Sequence, residues 1–494
     1  MAAMEAPAHL DAAAAYQALS SRDARFDGRF FVGVTSTGIY CRPVCRVRLP
    51  RRENCRFFGH AAAAEQAGFR PCLRCRPEQA PGLSGADAAR SLAEAGARLI
   101  SHAVAAGESP ALPDIAARLG ITERHLRRIF QAHLGVSPVD WQTTQRLLLA
   151  KRLLTDTTLP VSQVAAASGF GSLRRFNAAF AERYRLTPGA LRRDARPDAA
   201  PGVRPLRLPW RPPYDRAAMT GFLAARPLAG VEAAGADGWW RRTLSVPHHG
   251  QTLSGWIALR LDEDAAALEV SPALAPALGT VIERVRHLLD LDADPARIDS
   301  ALASLPVPVR PGLRVPGCID GFETLVRIVL GQQVTVAAAC TLAGRLVERF
   351  GAPIQTPWAG LDRLFPTPAA LAQACAESIG TLGIVRVRVG ALQALAAAVE
   401  RGELVLHPAA PVEDTLACLR QLPGVGDWTA ELVALRVLAW PDAFPATDAG
   451  VVKALGGLRP PRSQALAESW RPWRSYAVMQ LWQSLVDLPP EPKT

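Results

Sequence analysis

The stretch LRQLPGVGDWTAELVALRVLAW, residues 419–440, reads as a helix, a turn and a second helix. Leu422, Pro423, Gly424, Val425 and Gly426 make the turn. The two glycines allow a tight reversal whose free amides face outward at the start of the second helix. A helix N-terminus of that kind holds a DNA phosphate without reading sequence. Alone, such a turn joins any two helices. It gains weight from FPATDAGVVKAL (444–455), which carries Asp448 downstream.

A hairpin followed by an aspartate resembles the helix-hairpin-helix DNA glycosylases. In that family a carboxylate stabilises the cationic sugar as the base departs, and it can orient the attacking water. The chemistry suits an already alkylated base. Its positive charge makes it a good leaving group, and electron-rich rings bind it by cation–π contact. Trp210, Phe222, Trp428, Trp470, Trp473 and Trp482 supply such rings. The base must be flipped from the duplex to reach them.

Four segments are similar to the AlkA-type alkyladenine glycosylases: WRPPYDRAAMTGFLAAR (210–226), RPGLRVPGCIDGFETLVRIVLGQQVTVAAA (310–339), LPGVGDWTAELVALR (422–436) and ESWRPWRSYAVMQLW (468–482). The resemblance spans residues 205–490. It implies Asp448 as the catalytic carboxylate and Phe222, Trp428 and Trp482 as walls of the base pocket. It places Gln333 where the family has the residue wedged into the vacated stack, often a leucine. Leu432 stands where an aromatic is expected and widens the pocket. Core packing is the competing expectation for Trp470 or Trp473, and Asp442 is expected in the turn before the site.

Glycosylases that also cut the strand use a lysine amine near the hairpin. Here that position is Trp428, and Lys453 is the one lysine between residues 152 and 492. Cys318, Cys340, Cys375 and Cys418 are too scattered for an iron–sulfur cluster and are expected as buried thiols.

Four other cysteines are clustered. GIYCRPVCRVRLPRRENC (38–55) is followed by FRPCLRCRPEQ (69–79). Cys41 and Cys45 are separated from Cys72 and Cys75 by 26 residues, close to zinc-ligand spacing. Pro43 and Pro71 close the two loops. A segment this short buries little core, so a metal would tie it down. Cys55 has no near partner and is expected as a packed thiol. Four thiolates on Zn²⁺ leave the site negative and the sulfurs nucleophilic. Arg42, Arg46, Arg48, Arg51 and Arg52 crowd the first pair and would attract phosphates. Residues 16–80 resemble the N-terminal domain of the Ada family. That resemblance implies zinc on all four cysteines and methyl transfer from a DNA methylphosphotriester to Cys41. The methyltransferase half that usually follows in that family, with its Pro-Cys-His-Arg motif, has no counterpart.

Between these regions one helical scheme occurs twice. LPDIAARLGITERHLRRIFQAHLGVSP (112–138) places Gly120 in a turn and Thr122 as a cap. Leu126, Ile129, Phe130 and Leu134 share a face. VSQVAAASGFGSLRRFNAAFAERYRLTP (161–188) repeats it with Gly169, Gly171, Ser172, Phe176 and Phe180. Two helix-turn-helix units so spaced resemble the AraC-type DNA-binding domain. Arg124, Arg127, Arg128, Arg174 and Arg175 are the candidate DNA contacts, near the starts of helices suited to the major groove.

The charge agrees with this order. Residues 1–200 hold 28 Lys and Arg against 17 Asp and Glu, whereas residues 201–494 hold 28 of each, so the net +11 belongs to the front. That asymmetry suits a partner that is a polyanion. Apolar runs fall short of the ~18 residues a membrane span needs. The first arginine is Arg22, which is not the pattern of a secretory signal.

The expected fold is multidomain α+β and mostly helical. It comprises a zinc-binding methyl-acceptor domain (16–80), a double helix-turn-helix domain (90–193), an α/β subdomain (205–315) and a helix-hairpin-helix glycosylase core (316–490). Segments 76–89 and 192–205 read as linkers. The expected function is excision of alkylated purines such as 3-methyladenine, joined to sensing of methylphosphotriesters and activation of the adaptive response. Zn²⁺ is the expected cofactor. Alkylated and promoter DNA, and RNA polymerase, are the expected partners, in the cytoplasm at the nucleoid. The rival is a transcription regulator with an inert glycosylase domain.

Overall fold

The structure is a computed structural model. It describes residues 12–22, 26–27, 30–58, 61–77, 85–105, 107, 109–156, 159–195, 205–248 and 250–486. The chain forms two compact units, residues 1–98 with 111–141 and residues 99–110 with 142–494.

In the first unit a four-stranded sheet runs in the order Cys55–Phe58, Phe31–Val34, Ile39–Cys41, Arg70–Pro71. Strand alternation sends Phe31, Tyr40 and Phe58 to one face, with Phe69, and Val32, Cys41 and Phe57 to the other. The pairing of Ile39–Cys41 with Arg70–Pro71 is parallel, with Tyr40 opposite Pro71. Cys41 and Cys72 therefore leave the sheet side by side, and the Cys72 amide donates to the Tyr40 carbonyl at 3.0 Å.

The first helix-turn-helix consists of helices Leu112–Arg118 and Glu123–Leu134. Gly120 turns at φ +66°, and the Thr122 hydroxyl accepts from the His125 amide at 3.2 Å. In the second unit, Val161–Ala167 and Leu173–Tyr184 repeat the arrangement, with Ser172 capping Arg175 at 3.3 Å. Phe176 and Phe180 are fully buried there.

Both linker assignments need correction at their edges. Helix Gly85–Ala105 takes the end of 76–89, because its alanine-rich sequence favours helix and buries Ala93 and Ala97. Helix Pro188–Ala195 takes the start of 192–205. Residues 78–84 and 196–204 lie outside the described residues.

The second unit continues with a five-stranded antiparallel sheet, ordered Leu206–Pro209, Ala265–Val270, Gln251–Leu261, Trp240–His248, Glu232–Ala234. Helix Leu278–Leu288 buries Val281, Ile282 and Val285 in the core to which Val246, Ile257 and Leu268 belong. From Gly321 onward the chain is helical. Gly321–Leu330, Val336–Phe350, Arg386–Glu400 and Asp427–Arg436 surround a second core that includes Leu325, Val329, Leu392 and Val433. No described helix is long and apolar enough to cross a membrane.

Candidate functional site

Asp448 is the N-cap of helix Ala449–Ala454, and its Oδ1 accepts from the Val451 amide at 3.1 Å. Two indoles complete its coordination. Trp482 Nε1 donates to Oδ1 at 2.8 Å, and Trp428 Nε1 donates to Oδ2 at 2.9 Å. Trp428 stands on the first turn of Asp427–Arg436 and Trp482 on Arg474–Val486. Three N–H groups from three helices thus fix both carboxylate oxygens.

These residues line a cavity of about 800 Å³, together with Phe222 and Leu432. Trp240 also lines it and was not singled out from the sequence. The other aromatics pack elsewhere. Trp470 is fully buried against Phe444, Trp473 meets Tyr476 edge-on, and Trp210 stacks on Tyr214. Asp442 is buried and pairs with Arg471 and Arg474, the latter at 2.7 Å. It fastens the chain before Asp448 and lies outside the cavity lining.

Gly450 was also missed. A Cβ there would lie 2.8 Å from Trp482 Cδ1 and 3.1 Å from Asp448 Oδ1. Only glycine leaves the indole room to reach the carboxylate. A residue required by the approach of an indole from a distant helix leaves no local pattern.

The cavity is rich in arginine. Arg242 and Arg327 are matched by Glu232 and Glu323, with Arg242 2.6 Å from Glu323 and 3.0 Å from Glu232, and Arg327 3.1 Å from both. Glu232, Arg242 and Glu323 are buried and Arg327 is partly exposed, and the quartet ties the five-stranded sheet to helix Gly321–Leu330.

At the hairpin, Gly424 turns at φ +75° and its would-be Cβ meets Ala391 at 2.8 Å. Gly424 and Gly426 are exposed. Gln332 Nε2 donates to the Gly424 carbonyl at 2.9 Å and to Thr429 Oγ1 at 3.0 Å, and Arg388 donates to the Gln332 carbonyl. The next residue, Gln333, is exposed with φ +55°, a left-handed conformation that a side chain adopts at a cost. The hairpin and the turn bearing Gln333 are locked to one another.

In the first unit, one sulfur from each of Cys41, Cys45, Cys72 and Cys75 lies within 4.8 Å of the others. Tetrahedral zinc with thiolates at ~2.3 Å needs sulfurs about 3.8 Å apart, which this cluster suits. The thiols perturb each other strongly. A hydrogen bond with Cys75 and burial hold Cys41 far above the usual thiol range, burial pushes Cys45 up to about 11, and the hydrogen bond from Cys41 lowers Cys75 to about 5. A divalent cation removes that conflict. Zn²⁺ fits the four sulfurs. Cys55 stays outside the cluster and donates to the Arg51 carbonyl at 3.3 Å.

Arg42 does not serve as a free phosphate contact. It pairs with Asp27, Nε to Oδ1 at 2.8 Å, and reaches the Cys75 carbonyl at 3.2 Å. Arg46, Arg48, Arg51 and Arg52 are exposed. Arg124, Arg127, Arg128, Arg174 and Arg175 are exposed as well, although Arg127 pairs with Glu123 and Arg128 meets His125 Nδ1 at 2.9 Å. The expectation of four buried thiols in the rear holds for Cys318 alone. Cys375 precedes a short helix without a side-chain capping bond and is exposed, and Cys340 and Cys418 are partly exposed.

Four family descriptions match the chain: the metal binding domain of Ada over residues 14–78, a helix-turn-helix domain over 115–194, the AlkA N-terminal domain over 205–320 and the HhH-GPD superfamily base excision DNA repair protein over 326–474. A Mycobacterium tuberculosis protein described as a probable bifunctional transcriptional activator/DNA repair enzyme AlkA is 39% identical over 493 residues, covering 97% of each chain. DNA-3-methyladenine glycosylase 2 of Escherichia coli is 35% identical over 56% of this chain and 95% of its own. The bifunctional transcriptional activator/DNA repair enzyme Ada of the same organism is 38% identical over 28% of this chain and 36% of its own.

Proposed function

The chain belongs to the family of bifunctional transcriptional activator/DNA repair enzymes of the AlkA type, and from that premise we propose a division of labour between a methyl-sensing front and a base-excising rear. It is a zinc-binding, DNA-binding protein with a DNA glycosylase domain.

The rear takes an alkylated purine such as 3-methyladenine, flipped into the cavity beside Trp428 and Trp482. The carbon–nitrogen bond to the sugar breaks with its electron pair going to the base. Asp448 faces the cation left on the sugar, and water completes the hydrolysis. The reading rests on one observation, the Asp448 carboxylate held by two indole N–H groups in a cavity. A domain retained only for regulation has no use for that arrangement. Strand cleavage is not expected, because Lys453 is exposed and does not line the cavity. Gly424 and Gly426 present the hairpin amides to a phosphate, and Gln333 fills the gap left by the flipped base.

In the front, Cys41 is the methyl acceptor. Its sulfur forms a bond to the methyl carbon of a methylphosphotriester, the oxygen–methyl bond breaks, and the phosphodiester leaves as an anion. Bound zinc supplies a deprotonated, nucleophilic sulfur. Arg46 and Arg48 hold the neighbouring phosphates. Conversion of a thiolate to a thioether removes one negative charge, so the zinc domain then repels DNA less. The double helix-turn-helix, through Arg124, Arg127, Arg128, Arg174 and Arg175, holds the promoter, with RNA polymerase as the partner in activation. The domains span 16–80, 90–193, 205–315 and 316–490, and the protein works in the cytoplasm at the nucleoid.

Incubation of the full chain with methylated duplex DNA tests both halves together. Mass spectrometry should find free 3-methyladenine in solution and one added methyl on Cys41. Absence of both products would overturn the reading.

A further inference from the structure

Three arginines of the cavity, Arg226, Arg314 and Arg436, lack the compensation given to Arg242 and Arg327; Arg314 donates to the Arg211 and Pro213 carbonyls and lies over Tyr214, whereas the other two converge on Phe222. Arg226 lies over the Phe222 ring, with Cζ 4.1 Å from its centroid, and Arg436 lies 4.9 Å from the same centroid. Arg226 donates to the Phe222 carbonyl at 3.3 Å. Arg436 donates to the carbonyls of Pro316 and Gly317, each at 3.1 Å. Among the described residues no carboxylate pairs with either. Burial lowers both, and Arg436, pushed down to about 10, still carries its proton at neutral pH.

The Phe222 ring is therefore a poor seat for a cationic base, since two guanidinium groups already draw on its π-electrons. The cavity has a polarity instead. Arg226 and Arg436 put positive charge at the Phe222 ring, and Asp448, held by Trp428 and Trp482, puts negative charge in the lining of the same cavity. We infer that Arg226 and Arg436 drive departure of the base by pulling the electron pair of the breaking bond toward the Phe222 wall.

The electron balance works for two classes of lesion. A cationic N-alkyl purine leaves as a neutral base, so repulsion from the arginines is relieved during the reaction. A neutral purine such as hypoxanthine leaves as an anion, which the arginines stabilise and solvent then protonates. In both cases the positive charge passes to the sugar, opposite Asp448. Water adds to the sugar and gives up its proton to solvent. Fixed charges aimed at charge that develops in the transition state accelerate the step. Arg226 and Arg436 act through Phe222 and through this field, as positioning residues.

The inference rests on the glycosylase reading above. Arg226→Met and Arg226→Lys in the full chain test it by single-turnover base release from duplexes carrying 7-methylguanine or hypoxanthine. Arg226→Met should slow hypoxanthine release by about tenfold or more and 7-methylguanine release by less. The enzyme concentration giving half-maximal release of 7-methylguanine should fall, because ground-state repulsion is gone. Arg226→Lys should restore the wild-type rates in large part. A parallel loss on both substrates with weaker saturation, or no change at all, would assign Arg226 a structural role and overturn the inference. If the wild type releases neither base, the glycosylase reading fails and the inference falls with it.

Discussion

Trp482 donates its indole N–H to Oδ1 of Asp448 at 2.8 Å, across 34 residues of sequence. Trp428 does the same to Oδ2. A hydrogen bond to a charged group contributes roughly 1.5–3 kcal/mol. Trp482→Phe keeps the ring and removes the donor. The release rate should drop by about 10- to 100-fold, with the melting point lower by a few degrees. An unchanged rate would show that the indole only walls the cavity.

Gly450→Ala should act on the same contact from the other side. The added methyl meets Trp482 at 2.8 Å, and overpacking of this kind costs about 1–3 kcal/mol. The indole must swing away from Asp448 to make room. Base release should fall at least as far as in Trp482→Phe, while calorimetry shows a melting point only a few degrees lower. Full activity in the alanine variant would mean that Trp482 does not need its observed position.

The zinc centre should need all four thiolates. Cys72 follows the strand that pairs with Ile39–Cys41, so Cys72→Ala removes a ligand at the sheet edge. Elemental analysis should find the metal lost, with circular dichroism showing local unfolding, because so little apolar core supports this region. Cys55→Ala, outside the cluster, should keep one zinc per chain. Stoichiometric zinc in Cys72→Ala would contradict the four-sulfur site.

Asp290 gives a pH signature. It accepts from the Tyr476 hydroxyl at 2.9 Å and the Val315 amide at 3.3 Å, and burial raises its carboxyl to about 7. A folded-state value above the unfolded one means that the folded chain binds the extra proton. Its contribution to stability is therefore complete below about pH 4 and is lost as pH rises through about 7. Asp290→Asn should remove that decline, so the melting-point difference between variant and wild type grows with pH across this window. A constant difference would show that Asp290 is ionised throughout.

The parts of the site legible in the sequence are those written in short range. Cys41, Cys45, Cys72 and Cys75 declare a metal site by spacing, and the hairpin glycines and Asp448 stand out in two short segments. Thr122 and Ser172 announce two helix starts by composition alone. Gly450, Arg226 and Arg436 could not be read this way. Each matters because a distant helix brings a partner to it, and no local period marks such an approach. The segment 76–89 reads as a linker because it is rich in Gly, Ala and Pro, yet its last residues are helical because alanine after Gly85 is a strong helix former. The arginines near Cys41 looked alike in sequence, yet Asp27 removes Arg42 from the exposed set.

The central claim is that the Asp448 carboxylate stabilises the sugar cation. The direct measurement is single-turnover release of 3-methyladenine from duplex DNA by wild type and Asp448→Asn, with DNA affinity measured in parallel by fluorescence anisotropy. Loss of stabilisation felt only in the transition state predicts a fall of about 10²–10³-fold or more in rate. Affinity should stay unchanged, because the substitution leaves the exposed hairpin amides of Gly424 and Gly426, the proposed phosphate contact, in place. Near-normal release by Asp448→Asn would contradict the account.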